Sequence, residues 1–201
     1  MFLSRHSTVR LTVEELSADG IAECLDAGKI DFGITYRPEH RSDLRFEPLF
    51  NEELMLVVGS AHPLACRKRI RMIELHHQPL VLLPRSFATR RMLDECCAAA
   101  GAMPNVVLEM NTIAAMLGVA ERIPIGTIVA ANAVSHHSSL RVVPLENPTP
   151  IRTTGLLFHA DWLLSRPVRA FAELVRKQAM ESTLRPKVYA AVSAQYEELS
   201  R

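Results

Sequence analysis

An α/β fold is predicted for this chain on three observations. Segments of helical periodicity alternate with short apolar runs along most of the 201 residues. One run, Leu80–Leu83, is apolar throughout and closed by Pro84, the pattern of a strand buried on both faces of a parallel sheet. The periodic segments also carry start and stop residues, such as Ser17 before and Gly28 after the stretch 18–26.

Each element has its own reason. Val9–Glu14 alternates apolar and polar residues and predicts a strand. Ala18, Ile21, Ala22 and Leu25 then mark one helix face, with Ser17 as N-cap, Asp19 at the positive dipole end and Gly28 as the C′ residue. Ile30–Tyr36 returns to a strand, so a parallel pair with a crossover helix is expected. Two strands follow, at Leu44–Leu49 and Leu54–Val58. His62-Pro63-Leu64 reads as a turn with a locally bonded histidine, and Ile70–Leu75 as a short helix.

After the buried strand Leu80–Leu83, a helix runs from Ala88 to Ala100, with Met92, Leu93, Cys96, Cys97 and Ala100 inward and Gly101 ending it. Asn105–Met110 is a strand. Asn111 or Thr112 caps a helix whose inner face is Ile113, Met116, Leu117 and Ala120, and Pro124 stops it. Strands are predicted at Ile125–Ala130, Leu140–Leu145 and Ile151–Phe158. Asp161-Trp162 reads as a loop with the tryptophan on the last helix, Arg166–Glu181, whose stripe is Val168, Phe171, Leu174 and Val175. Tyr189–Leu199 fits a helix or a loose tail.

Composition excludes several classes. Apolar residues are 48% and charged residues 22%, ordinary for a globular protein, and the formal net charge is +1. That leaves no dense basic field for nucleic acid. No run is long and apolar enough to span a membrane, and the start lacks an export signal's apolar region, so a cytoplasmic location is expected. The four cysteines lack C-x-x-C spacing and read as reduced thiols. No nucleophile elbow, zinc-protease helix, phosphate loop or dinucleotide fingerprint is present, and Cys96 and Cys97 sit on an apolar face unsuited to a nucleophile. No enzyme activity, cofactor or metal is expected. The adjacent pairs His76-His77 and His136-His137 point their rings apart and chelate poorly.

The stretch from Lys29 to Ala65 is the most informative. It reads KIDFGITY and, after a loop, FEPLFNEELMLVVGSAHPLA. This order resembles the effector-binding domain of LysR-type transcriptional regulators, where such a run crosses from one lobe to the next. The similarity extends over nearly the whole chain. LVLLPRSFATR at Leu80–Arg90, with Asn111-Thr112, resembles the subgroup that includes cyanate-operon regulators.

The resemblance implies a two-lobed fold like type II periplasmic-binding proteins. Residues 1–58 would form the first part of lobe I, 59–150 lobe II, 151–184 the return to lobe I and 185–201 a tail, with crossovers near Val58–Ser60 and Thr149–Thr154. Phe2–His6 resembles the end of the family's first helix. Its winged helix-turn-helix, the first strand of lobe I and most of the following helix have no counterpart, so an N-terminally truncated regulator is expected. Pro124 also replaces the first glycine of a G-x-G usual in the family.

The implied function is sensing of a small, often anionic effector in a cleft between the lobes, by helix N-termini that present free N–H groups. Candidate residues are Ser17, Ser86, Phe87 as an apolar wall, Thr89, Thr112 and Arg37. Ser17, Thr89 and Thr112 have the plainer reading of helix caps, and Arg37 that of a surface arginine. The implied parent binds promoter DNA as a homotetramer; this chain alone is not expected to bind DNA, and its homodimer is expected to be weakened. A solute-binding protein of a transporter, or an enzyme on the same scaffold, is the alternative.

Overall fold

The computed structural model describes residues 2–38, 41–134 and 139–184. The helices are α1 (Phe2–Arg5), α2 (Ala18–Asp26), α3 (Ala88–Ala99), α4 (Ile113–Arg122) and α5 (Arg166–Leu184). The strands are β1 (Gly33–Tyr36), β2 (Leu44–Gly59), β3 (Ile70–Arg71), β4 (Pro79–Leu82), β5 (Asn105–Glu109), β6 (Gly126–Ala130), β7 (Leu140–Glu146) and β8 (Ile151–His159). The expected helix at Tyr189–Leu199 lies outside the described residues.

The chain divides into two compact units. The first holds the residues up to Asn51 and from Thr153 onward; the second is Glu52–Arg152. The division falls at Asn51/Glu52, ahead of the expected Val58–Ser60, and at Arg152/Thr153, within the expected Thr149–Thr154.

In the first unit β1 pairs antiparallel with β8, Ile34 opposite Leu156, and β8 lies beside β2. Side-chain alternation along β8 supplies two cores. Leu157 joins Ala22, Leu25 and Leu44 on the α2 face, while Leu156 and Phe158 join Ala172 of α5. Helix α2 begins as its sequence dictates: the Ser17 hydroxyl oxygen accepts a bond from the Gly20 N–H at 3.1 Å, and Gly28 ends the helix at φ 63°.

The second unit is a mixed sheet. Strand β4 pairs in parallel with β5 and with β6, while β2 pairs antiparallel with β6 and with β7. Strands β4 and β6 and the Leu54–Val58 part of β2 read as continuous apolar runs because both faces are covered. Leu54, Leu56, Val58, Leu80, Leu82, Ile128 and Ala130 turn toward Leu93 and Cys97 of α3. Val57, Val81 and Val129 turn toward Met116, Leu117 and Ala120 of α4. The two helices therefore lie on opposite faces.

Several expectations are corrected. Val9–Glu14 forms no strand: Leu11 and Val13 are exposed, the latter at 80%, and no ladder in the described residues takes them up. The expected parallel pair is consequently absent, and β1 is antiparallel to β8 instead. The strands expected at Leu44–Leu49 and Leu54–Val58 are one strand, β2, which runs on through Asn51 without a turn. Ile70–Leu75 is a two-residue strand followed by a 3-10 turn. Trp162 stacks on His159 at 4.7 Å and lies over Gly28.

Candidate functional site

The site elements grow from the carboxyl ends of β4, β5 and β6. Strands β4 and β5 are parallel neighbours, with Leu82 opposite Glu109, so the segments leading into α3 and α4 emerge at the same sheet edge. Helix α3 carries the chain from β4 to β5. Beyond β6 the chain passes to β7, on the far side of β2. The connections leaving the neighbours β4 and β6 thus run in opposite directions, the arrangement that opens a crevice at the carboxyl ends of an α/β sheet.

The first turn of α3 sits at this edge. Ser86 is exposed, and its carbonyl accepts a bond from Arg91 Nη1 at 2.9 Å. Phe87 is half-buried at the N-cap position, with extended backbone; its carbonyl accepts from the N–H groups of Arg90 and Arg91. Thr89 is 6% exposed, and its Oγ1 accepts a bond from Arg152 Nη1 at 2.7 Å. The hydroxyl is therefore bonded across the unit and caps no helix. Arg152 also donates through Nε and Nη2 to Glu52 Oε2, at 2.9 and 2.6 Å. Glu52 and Arg152 are the first and last residues of this unit.

A second buried cation braces the same turn. Arg90, 3% exposed, donates to the Leu83 carbonyl, Glu109 and Asp94 at 2.8, 2.8 and 2.9 Å. Burial alone would weaken its charge; the bonds to Asp94 and Glu109 outweigh that and hold the guanidinium protonated above its ordinary range. The Leu83 bond ties helix α3 to the end of β4.

The other expected residues are placed separately. Thr112 occupies the N-cap position of α4 with extended backbone, but its side chain makes no cap bond. Ser17 caps α2 in the first unit. Arg37 is exposed there, its guanidinium over the Phe46 ring at 5.0 Å. So the second unit holds Ser86, Phe87 and Thr89 in one turn and Thr112 at the neighbouring strand end, whereas Ser17 and Arg37 belong to the first unit. An apolar hollow of about 450 Å³ on α4, lined by Ala114, Ala115, Gly118, Val119, Arg122 and Ile123, contains none of them.

The rings of His76 and His77, expected to point apart, instead lie with centroids 3.8 Å from each other, and His76 Nδ1 accepts from the Met103 N–H. His136-His137 lies outside the described residues. Among the described residues no three His, Cys, Asp or Glu side chains gather as a metal site, and no helix is long and apolar enough to cross a membrane.

Sequence reasoning missed Arg152, Glu52 and Arg90. The Arg90–Asp94 pair was readable as an i, i+4 contact. Nothing local announces that Arg152 meets residues 63 and 100 positions away.

Comparison with known proteins shows the family and the fold. The LysR substrate binding domain family matches residues 1–180. The chain is 30% identical over 186 residues to the HTH-type transcriptional regulator GalR of Pseudomonas putida, covering 90% of this chain and 47% of that one. It spans about half the length of the first curated relatives it matches. Among solved structures, the effector binding domain of QuiR in complex with shikimate superposes with a TM-score of 0.80 at 20% identity, covering 90% of this chain and 87% of that one. The regulatory domain of Synechocystis CcmR in complex with 2-PG gives 0.78 at 16% identity, covering 89% and 87%. At these identities the likeness is one of fold.

Proposed function

Since this chain belongs to the family of LysR substrate-binding domains, we propose that it is the effector-sensing part of a LysR-type transcriptional regulator, binding a small anionic ligand. The observation that carries the ligand site is the first turn of α3. It follows a strand buried on both faces, stands at the carboxyl edge of parallel strands, and contains a buried hydroxyl, Thr89, backed by a guanidinium. Helix N–H groups and the positive dipole end favour an anion there. Ser86 and Phe87 join Thr89 in this reading, with Thr112 at the next strand end and Ser17 and Arg37 as the first unit's candidates. The ligands named for the QuiR and CcmR structures, shikimate and 2-PG, support a small-molecule effector.

Regulation follows only if the effector binds one conformation of the domain better than another. The parent regulator would act on promoter DNA as a cytoplasmic homo-oligomer, and Leu80–Arg90 with Asn111-Thr112 supports the cyanate-operon-regulator-like subgroup. A second copy of the chain is a fitting partner. Strand β5 ends the strand path and exposes Val107 at 52% and Leu108 at 39%, an apolar edge that a single copy leaves uncovered.

The test is a chimera carrying this chain behind the DNA-binding half of a LysR-type regulator. Thr89→Val should abolish the effector response in transcription while operator binding stays intact. An unchanged response removes Thr89 from the site.

A further inference from the structure

We infer that the free edge of β1 takes a strand from a second copy of the chain: Val9–Glu14 of one copy adds in parallel to β1 of the other, and the two copies exchange these segments reciprocally. The contact lies within the first unit and on a different edge from β5.

Two features of the first unit call for the same remedy. Val9–Glu14 has a strand's alternation, yet every residue from Arg10 to Leu16 is exposed, Leu11 at 41% and Val13 at 80%. Strand β1 ends the strand path of the described residues, and its Ile34 is 52% exposed. An alternating segment without a ladder and an edge with an exposed apolar residue both favour strand addition. The chain's own segment does not fill the edge. Helix α2, which follows it, packs inward over Gly33 of β1, Leu157 of β8 and Leu44 of β2.

Charge and side-chain size select the pairing. With Leu11 opposite Ile34 in parallel, Val9, Leu11 and Val13 fall beside Phe32, Ile34 and Tyr36 on one face. On the other face Glu14 stands opposite Arg37. Arg10 there reaches back to Asp31 across Gly33, which has no side chain in the way. The antiparallel pairing with the same central pair sets Glu14 against Asp31. Shifted to put Leu11 opposite Tyr36, it sets Arg10 against Arg37; shifted the other way, it draws Leu11–Glu14 past the start of β1. Exchange of an identical element between two copies closes both edges at once, so association stops at the dimer.

The experiment is disulfide trapping in the full chain. Leu11→Cys and Ile34→Cys, combined with Cys66→Ser, place two thiols opposite each other at strand spacing, within the reach of a disulfide. Oxidation with diamide should give a reducible dimer whose peptides spanning positions 11 and 34 are joined between chains. The same link inside a monomer overturns the exchange. A dimer without the link overturns it too and points to another face, such as the β5 edge. Absence of any link overturns it as well. A measurement on the unaltered chain covers a variant that does not fold. At concentrations where sedimentation shows the dimer, hydrogen exchange at alternate amides within residues 9–14 should be slower than in the monomer by about tenfold or more. A chain that stays monomeric at high micromolar concentration, or a dimer in which these amides exchange as fast as in the monomer, overturns the inference.

Discussion

Arg152 and Glu52 close the second unit on itself. They are its last and first residues, and two hydrogen bonds of 2.9 and 2.6 Å join them, with side chains only 11% and 14% exposed. A buried pair of this kind stabilises little relative to a well-packed apolar pair, yet losing one partner strands the other's charge. Glu52→Gln should therefore cost about 2–4 kcal/mol in urea unfolding. The double variant Glu52→Gln/Arg152→Met should recover most of that loss. Equal losses in single and double variants would show that the charge is not what the pair compensates.

Thr127 calls for the opposite change. It sits on β6 opposite Val57 and beside Val81, fully buried, and its Oγ1 has no hydrogen-bond partner among the described residues. Replacing the hydroxyl by a methyl of similar shape removes an unpaid desolvation. Thr127→Val should raise stability by about 1 kcal/mol, read as a higher urea midpoint at unchanged m-value.

These two residues mark the limit of what was legible in the sequence. Strands and helices that bury apolar stripes announced themselves: α2 through Ser17 and Gly28, β4 through Leu80–Leu83, and α4 through Met116, Leu117 and Ala120. Local chemistry decides those elements. Val9–Glu14 shows where it fails, since alternation makes a strand only when a neighbouring ladder takes it up. The candidate site split along the same line. Thr89 was found because it opens a helix. Its hydrogen bond comes from Arg152 on β8, 63 residues away, and no period or spacing carries that information.

Gly155 is held by packing against backbone. A Cβ there would stand 2.4 Å from the Glu47 carbonyl oxygen and 2.5 Å from the Phe46 ring. Since β2 and β8 are neighbours, the clash can be relieved only by moving a strand. Gly155→Ala should cost about 2–3 kcal/mol in urea unfolding. Gly101→Ala, at φ 69° but with nothing nearer than 3.9 Å, should cost about 1 kcal/mol from backbone strain alone.

Thiol labelling should follow burial. Cys66 is exposed, Cys24 and Cys96 are half-buried, and Cys97 is buried against Met72. Burial, reinforced by Asp94 and Cys96, pushes the Cys97 thiol up to about 11. With a thiolate reagent at pH 8, Cys66 should react first and Cys97 only on unfolding. Early modification of Cys97 in the folded chain would contradict this packing.

Acid should destabilise the chain first through His62. The ring is 7% exposed, and its Nδ1 accepts a bond from the Leu64 N–H at 3.1 Å, which requires the neutral imidazole. Burial lowers its pKa below the ordinary 6.5. The unfolded chain then binds the proton more tightly than the folded one, so the contribution is fully present above pH 6.5 and is lost as pH falls through the folded value. The carboxylates held below their ordinary range, Glu47 by Arg176 and Glu74 by the Arg71 N–H, act further down, below about pH 4.5. Stability should accordingly fall in two stages between pH 7 and pH 3. His62→Asn, whose side-chain oxygen accepts the same N–H without titrating, should remove the first stage and leave the second. A wild-type curve flat from pH 7 to pH 5 would show that His62 takes up its proton in the folded chain without cost.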